Sequence, residues 1–495
     1  MSSSHDPIVL FHPAPRGGWQ PQRRVELPLG LLCCATPLDR AGYTVRIVDQ
    51  FANPDWERQL EGALAEKPLC VGVSSMTGPQ LLRAIQFTRH VKTRYPDVPV
   101  VWGGVHGSLM PEQTLASPHV DVVVRGEGEE TFPELVRAFE EGDDLDEIAG
   151  IAFKKDESVH LTRERPFVEL NAQPPLSYNL VDMDLYRRRL FGVDHISLNS
   201  SRGCVYRCKF CWDPVMHKRT WRAMEPEAVL DNIKRLVHDY DIRGFLFSDD
   251  NFFVDPGRAH GILEAVVRAD LDISLGKLQV RADALCRMDR EFFDLLVRAK
   301  VRRVMVGVES GSQRILDFIG KGERVEHAIE ANAKLTEVPI VPLYLFMMGL
   351  PTETPDDLAQ SIRLATRLTN DNPRAAKSFN IYTPYPGTEL YDIAVQHGLE
   401  QPQRLEDWST FNFRNISDTA GWLTPEMRKL IKGLDFPLMF LGTNFIGSYK
   451  KTNPLVAALA RLYQPVARYR VTHLDARFPI EMRLVRSLGL FGRQD

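Results

Sequence analysis

The stretch Ser201-Arg202-Gly203-Cys204-Val205-Tyr206-Arg207-Cys208-Lys209-Phe210-Cys211 places three of the chain's 7 cysteines in a C-x3-C-x2-C array. Thiolates at this spacing on a loop converge on one metal centre. An iron–sulfur cubane is normally held by four cysteines, so three leave one iron open to another ligand. A structural zinc site is closed by four ligands, and no fourth cysteine stands near the array. His217 is the residue that could complete a zinc knuckle. Gly203 reads as the position that lets the backbone approach the centre closely.

The chain after the array argues against a small non-catalytic zinc module, because a full barrel pattern follows. From His195 a β-α pattern repeats about six times. Strands are expected at His195–Asn199, Gly244–Ser248, Ser274–Val280, Arg303–Val308, Val341–Met348 and Ser378–Tyr382. Polar or glycine residues follow each one: Asp249-Asp250-Asn251, Arg281-Ala282-Asp283, Glu309-Ser310-Gly311, Gly349-Leu350-Pro351 and Thr383-Pro384. Parallel barrels place their active sites at such strand ends. Strand-end Asp and Glu also cap following helices, which is the competing reading of Asp249, Asp250 and Glu309.

The first 145 residues carry a different α/β pattern. Ile8–His12, Val45–Asp49, Leu69–Ser74, Val98–Trp102 and Val120–Val124 read as buried parallel strands. Helices are expected over Leu27–Arg40, Trp56–Glu66, Pro79–Arg94, Pro111–Ala116 and Thr131–Glu140. The result is a doubly wound sheet whose ligands sit at the carboxyl ends of the strands. Three loops fall there: Ser74-Ser75-Met76-Thr77-Gly78, Gly103-Gly104-Val105-His106 and Gly126-Glu127-Gly128-Glu129. Gly150–Glu169 reads as a small hairpin, and Pro174-Pro175 marks a strap between domains.

The cysteine array resembles the signature of the radical S-adenosylmethionine (SAM) superfamily, with Phe210 in its aromatic place. The β-α series resembles that family's six-unit core. The three loops of residues 1–145 resemble the cobalamin-binding domain that precedes many such cores. The resemblance implies a [4Fe–4S] cluster on Cys204, Cys208 and Cys211, with SAM on the open iron. It places Phe210, Asp249, Asp250, Arg281, Glu309, Ser310 and Gly349 around SAM, Arg281 being apt because a guanidinium fork matches a carboxylate. It places Ser74, Ser75, Thr77, Gly103, Gly104, His106, Gly126 and Glu127 around cobalamin. The D-x-H-x-x-G motif of many cobalamin proteins is absent, since none of the 13 histidines has Asp two residues before it. His106 is therefore expected on the loop or tail side and not on cobalt.

The expected architecture is α/β: a cobalamin-binding doubly wound sheet over 1–145 and a linker with a hairpin over 146–190. A partial (β/α)6 barrel over 191–390 and a mainly helical segment over 391–495 complete it. Charge is near balance, with 61 Lys+Arg against 65 Asp+Glu, which argues neither for nor against a polyanionic partner. The odd cysteine count suggests reduced thiols and a cytoplasmic setting. Cys33, Cys34, Cys70 and Cys286 read as core residues. The polar start Met1–Asp6 offers no secretory h-region, and Phe436–Gly447 is too short to span a bilayer. Trp408, Phe411, Phe413 and Trp422 either cover the barrel mouth or simply pack a cap. Tyr449–Asp495, with nine Lys+Arg against three Asp+Glu, reads as a solvated helical tail or as a basic surface for peripheral membrane contact.

The function that the resemblance implies is reductive cleavage of SAM to a 5'-deoxyadenosyl radical, then methylation of an unactivated carbon of a small molecule. Oxidative cyclisation or rearrangement without methyl transfer, as in the anaerobic porphyrin-ester cyclases, shares every motif. An external one-electron reductant such as flavodoxin or ferredoxin is implied. A tRNA methylthiotransferase would need three spaced N-terminal cysteines and a basic RNA-binding barrel, which Cys33-Cys34 with Cys70 and a helical C-terminus do not match. No nucleic-acid partner is expected.

Overall fold

The computed structural model describes residues 6–15, 26–156, 158–411, 420–441 and 454–477. The first sheet contains β1 (Ile8–His12), β2 (Val45–Asp49), β3 (Cys70–Ser74), β4 (Val100–Gly103), β5 (Val122–Val124), β6 (Ile151–Lys155) and β7 (Ser158–Leu161). Their order is β2-β1-β3-β4-β5-β6-β7. The first five are parallel, and the β6–β7 hairpin pairs antiparallel onto β5. The hairpin expected as part of a linker thus extends the first sheet. Its strands form because successive side chains face opposite layers and both layers are apolar. Ile8 and Leu10 enter one core, Val9 and Phe11 the other.

The second sheet contains β8 (Arg188–Leu190), β9 (Val193–Leu198), β12 (Gly244–Phe247), β13 (Ser274–Arg281), β14 (Arg303–Glu309), β15 (Val341–Met348) and β16 (Ala376–Ile381). It runs β16-β15-β14-β13-β12-β9-β8, with six parallel strands forming the open barrel. The short β10 (Ser201–Arg202) and β11 (Arg222–Ala223) pair antiparallel and close the segment that carries the cysteines. Both apolar cores continue from the first sheet into the second, so the two units pack as neighbours.

Three local features differ from the sequence reading. Gly104–Leu109 is a short helix and not a loop, because Gly104 takes φ +86° and starts the turn directly. Edge strand β8 went unforeseen: Phe191 and Gly192, both at positive φ, form a two-residue hairpin turn into β9. Gly203, at φ +85°, is required by a different neighbour, since a Cβ there would lie 2.2 Å from the Thr220 carbonyl oxygen.

The C-terminal segment is helical over Pro425–Leu438 and Pro454–Thr472. Trp408 is buried against His106, Tyr391 and Phe411, and Trp422 against Tyr382. These aromatics pack a cap. Phe413 and the tail beyond residue 477, with Leu484, Leu488 and Leu490, lie outside the described residues, as do the side chains of Leu455 and Leu459. Among the described residues no helix is long and apolar enough to cross a membrane.

Candidate functional site

The cysteine loop leaves β9 and is held at several points. Asp249, at the end of β12, accepts hydrogen bonds from the Ser200 backbone N–H (2.8 Å), the Ser200 hydroxyl (2.6 Å) and the Ser201 hydroxyl (2.5 Å). Its carboxylate braces the entry to the loop and is fully engaged there. The Lys209 N–H donates to the Ile319 carbonyl and the Lys209 carbonyl accepts from the Leu390 N–H, both at 2.9 Å. Cys204, Cys208 and Cys211 are free and partly accessible. Burial pushes the Cys204 thiol up to about 11 and raises Cys208 and Cys211 as well, so a metal must displace protons on binding. Phe210 packs into the neighbouring core.

His217 does not join the cysteines. Its ring groups with Asp213 and Asp250, one ligand atom of each lying within 4.8 Å of the others. Its Nδ1 is 3.3 Å from the Arg222 Nη2 donor, and burial lowers it to about 4. Burial, then the facing Asp250 carboxylate, pushes Asp213 up to about 8. The zinc-knuckle alternative thus loses its fourth ligand.

The barrel mouth beside Cys208 is a buried charge network. Arg281 Nε donates to Asp283 (3.0 Å) and Arg281 Nη2 to the Lys321 carbonyl (3.0 Å). Its guanidinium lies 3.7 Å over the Tyr206 ring of the cysteine loop. Lys321 Nζ pairs with Glu309 at 3.1 Å and with Glu323 at 3.6 Å. Glu309 sits at φ +64°, and the register of β14 on β15 shifts there; the bulge re-aims its side chain. A Cβ at Gly307 would come within 2.5 Å of Glu309 Oε1 and displace that carboxylate. Ser310 is buried and bonded to Ser361. Gly349 donates its N–H to Glu353 (2.5 Å), and its carbonyl accepts from Trp422 (2.9 Å). Sequence reasoning missed Lys321 and Glu323, whose signal is two charged residues alternating with Gly320 and Gly322 in one turn.

A second site opens at the strand ends of the first sheet. A cavity of about 240 Å³ is lined there by Ser74, Gly103, Gly104, Val105, Gly126, Glu127 and Glu129, and by Cys33 and Cys34 of helix Leu29–Arg40. From the other domain Asn199, Arg202, Trp212, Met216 and His217 complete it. Glycine is needed at Gly104, where a Cβ would sit 2.7 Å from the Ser75 carbonyl, and at Gly128, where it would meet Cys34 Sγ at 2.6 Å. Ser75, Thr77 and His106, expected on the ligand, lie behind the lining. His106 is fully buried, its Nδ1 3.0 Å from Thr77 Oγ1, and burial lowers it to about 3.

Glu127 lines the cavity, but its carboxylate is taken. It accepts from Arg222 (2.8 and 3.0 Å), Arg202 (3.0 Å) and the Val168 N–H (2.9 Å). Burial would raise its pKa, yet Arg222 and Arg202 hold it below the ordinary carboxylate range. Arg202 also pairs with Glu129 at 2.5 Å, so the residue two before Cys204 ties the cysteine loop to the first sheet.

These residues fit the groups that the sequence implies. Three free thiols on one loop, with no fourth cysteine beside them in the sequence, suit a cluster with an open iron. Gly103, Gly104, Gly126 and Gly128 along the cavity wall leave backbone uncovered there, which suits a bulky ligand held by backbone contact.

Residues 198–365 match the Radical SAM superfamily and residues 24–136 match the B12 binding domain. An uncharacterized methyltransferase of Pyrococcus horikoshii is 32% identical over 388 residues, covering 78% of this chain and 82% of that one. The anaerobic magnesium-protoporphyrin IX monomethyl ester cyclase of Synechocystis sp. is 28% identical, with 80% and 78% covered. The radical SAM methyltransferase TsrM of Kitasatospora setae, solved with cobalamin and a [4Fe-4S] cluster, superposes with a TM-score of 0.67 over 84% of each chain. At 22% identity that likeness speaks to the fold alone.

Proposed function

The chain belongs to the radical SAM enzymes that carry a B12-binding domain, and from that premise we propose that it methylates an unactivated carbon of a small molecule. Its cofactors are a [4Fe–4S] cluster, SAM and cobalamin. When bound, they supply reductive cleavage of SAM to a 5'-deoxyadenosyl radical and a carrier for the methyl group. The chain's own residues supply placement. Cys204, Cys208 and Cys211 hold the cluster. Arg281, fixed by Asp283 and stacked on Tyr206, offers a cation for a carboxylate at the mouth. Glu309, held on Lys321, offers an acceptor for ribose hydroxyls. The glycine cradle and Ser74 receive cobalamin. An external one-electron donor of the flavodoxin or ferredoxin class reduces the cluster.

One observation carries the reading. The cavity at the first sheet is walled in part by Trp212, Met216 and His217, which lie one, five and six residues after Cys211. This supports a reading in which the two cofactor sites share a wall, since reacting atoms must come within about 3–3.5 Å for transfer. The P. horikoshii relative, named a methyltransferase, supports the same reading.

The test uses SAM with a deuterated methyl group. Methylation consumes two SAM per turnover, so the product gains the label while deoxyadenosine and S-adenosylhomocysteine accumulate together. An unlabelled product with deoxyadenosine alone assigns the chain to cyclisation or rearrangement instead.

A further inference from the structure

Among the described residues, the inner wall of the half barrel keeps partial exposure. On β15 Tyr344, Phe346 and Met348 are buried beneath the helices, while Leu343, Leu345 and Met347 face the other way and keep partial exposure. Met305 on β14 and Lys277 and Gln279 on β13 show the same alternation. A filled barrel would bury these side chains in stacked layers. The open wall is apolar along β15 and at Met305 of β14, where Arg303 and Gly307 share the same face, with polar groups on β13.

Lys277 stands out within it. Its strand neighbours Leu278 and Val280 belong to the helix-side core, which directs Lys277 into the lumen. The register of β12 on β13 slips at this point, Phe245 facing Leu275 and Leu246 facing Lys277. Gly276 is the residue skipped, and a Cβ there would come within 2.5 Å of the His195 ring. The bulge re-aims the lysine. Among the described residues Lys277 makes no hydrogen bond and no ion pair. Burial lowers its pKa; Glu26 and Asp249 favour its charge from a distance and Arg188 opposes it. The other charges of the mouth are matched: Arg281 to Asp283, Lys321 to Glu309. A half-buried ammonium without a partner is costly, and an anion supplied by a ligand removes the cost.

We infer that Lys277 anchors an anionic group of the substrate, whose apolar body lies along Met305, Leu343, Leu345 and Met347. The substrate class is an organic anion, a carboxylate or phosphonate on an apolar frame. This deepens the proposed function and rests on the lumen being the substrate's seat.

The test is calorimetric titration of the anaerobically reconstituted full chain with phenylacetate, phenylphosphonate and uncharged benzyl alcohol. At least one anion binds the wild type tenfold or more tighter than the alcohol, and the better anion identifies the group. Lys277→Met reduces that anion to the level of the alcohol; Lys277→Arg retains the preference. SAM affinity stays the same in all three proteins. Equal binding of anion and alcohol by the wild type overturns the inference, as does undiminished anion binding by Lys277→Met. A matching loss of SAM affinity in Lys277→Met also overturns it, because the amine then serves the SAM carboxylate. Iron content measured on the same samples separates the two levels: a wild type without iron removes the proposed function itself.

Discussion

A ligand reaching the strand ends of the first sheet meets Gly103, Gly104, Gly128 and the thiols of Cys33 and Cys34. At the strand ends of the second it meets Arg281, Asp283, Glu309, Lys321 and Glu323, all joined by ion pairs. Both are carboxyl edges of parallel sheets, where open crevices form. The first edge works by omission of side chains, so that backbone can approach something bulky. The second works by preset charge of both signs, suited to the carboxylate and the cationic groups of SAM. One topology therefore serves two cofactors through opposite uses of side-chain space.

The largest expected effect separates the two edges by metal content. Replacing Cys204, Cys208 and Cys211 together with alanine takes iron from about four per chain to nearly none, while cobalamin still binds. Loss of cobalamin in the same variant would show that the edges are not independent. A smaller effect comes from Gly104→Val. The residue sits at φ +86° with the Ser75 carbonyl 2.7 Å from any Cβ, so strain of about 1–3 kcal/mol is expected. Cobalamin affinity, measured by equilibrium dialysis, falls roughly tenfold for each 1.4 kcal/mol, and iron content does not change.

The smallest effect is in pH dependence, where the edges diverge in sign. His106, behind the first edge, is lowered by burial to about 3. The unfolded chain takes up its proton below about 6.5, so this stability is present above that pH and is lost as pH falls towards 3. Glu353, behind the second edge, is raised by burial to about 8. Its contribution is full below about 4.5 and is lost as pH rises through 8. Each slope is at most about 1.4 kcal/mol per pH unit. In denaturant titrations His106→Gln should flatten the acid limb and Glu353→Gln the alkaline one.

Much of this was readable before the structure. Buried strands announce themselves as apolar runs, and β1, β2 and β15 begin and end where Ile8–His12, Val45–Asp49 and Val341–Met348 predict. Short-range thiol spacing marks the cysteine loop equally well. What failed was direction and partnership. Thr77 and His106 stand in recognisable loops, yet they bond to each other behind the cavity, a pairing across 29 residues that no local pattern encodes. Asp249 reads as a ligand contact and instead braces Ser200 and Ser201, because which strand end faces which loop depends on barrel closure. Lys321 and Glu323 escaped notice since a charged turn after a helix is ordinarily solvated, and here the cysteine loop covers it.

The two bonds on Lys209 bear on the order of events during synthesis. All three cysteines have been made by residue 211, but the Leu390 N–H that helps fix their loop is translated about 180 residues later. At roughly 5–20 residues per second, the ribosome exposes those thiols for about ten to forty seconds before the loop can take its final form. A cluster offered to the nascent chain in that interval would meet a loop that still lacks its Leu390 anchor.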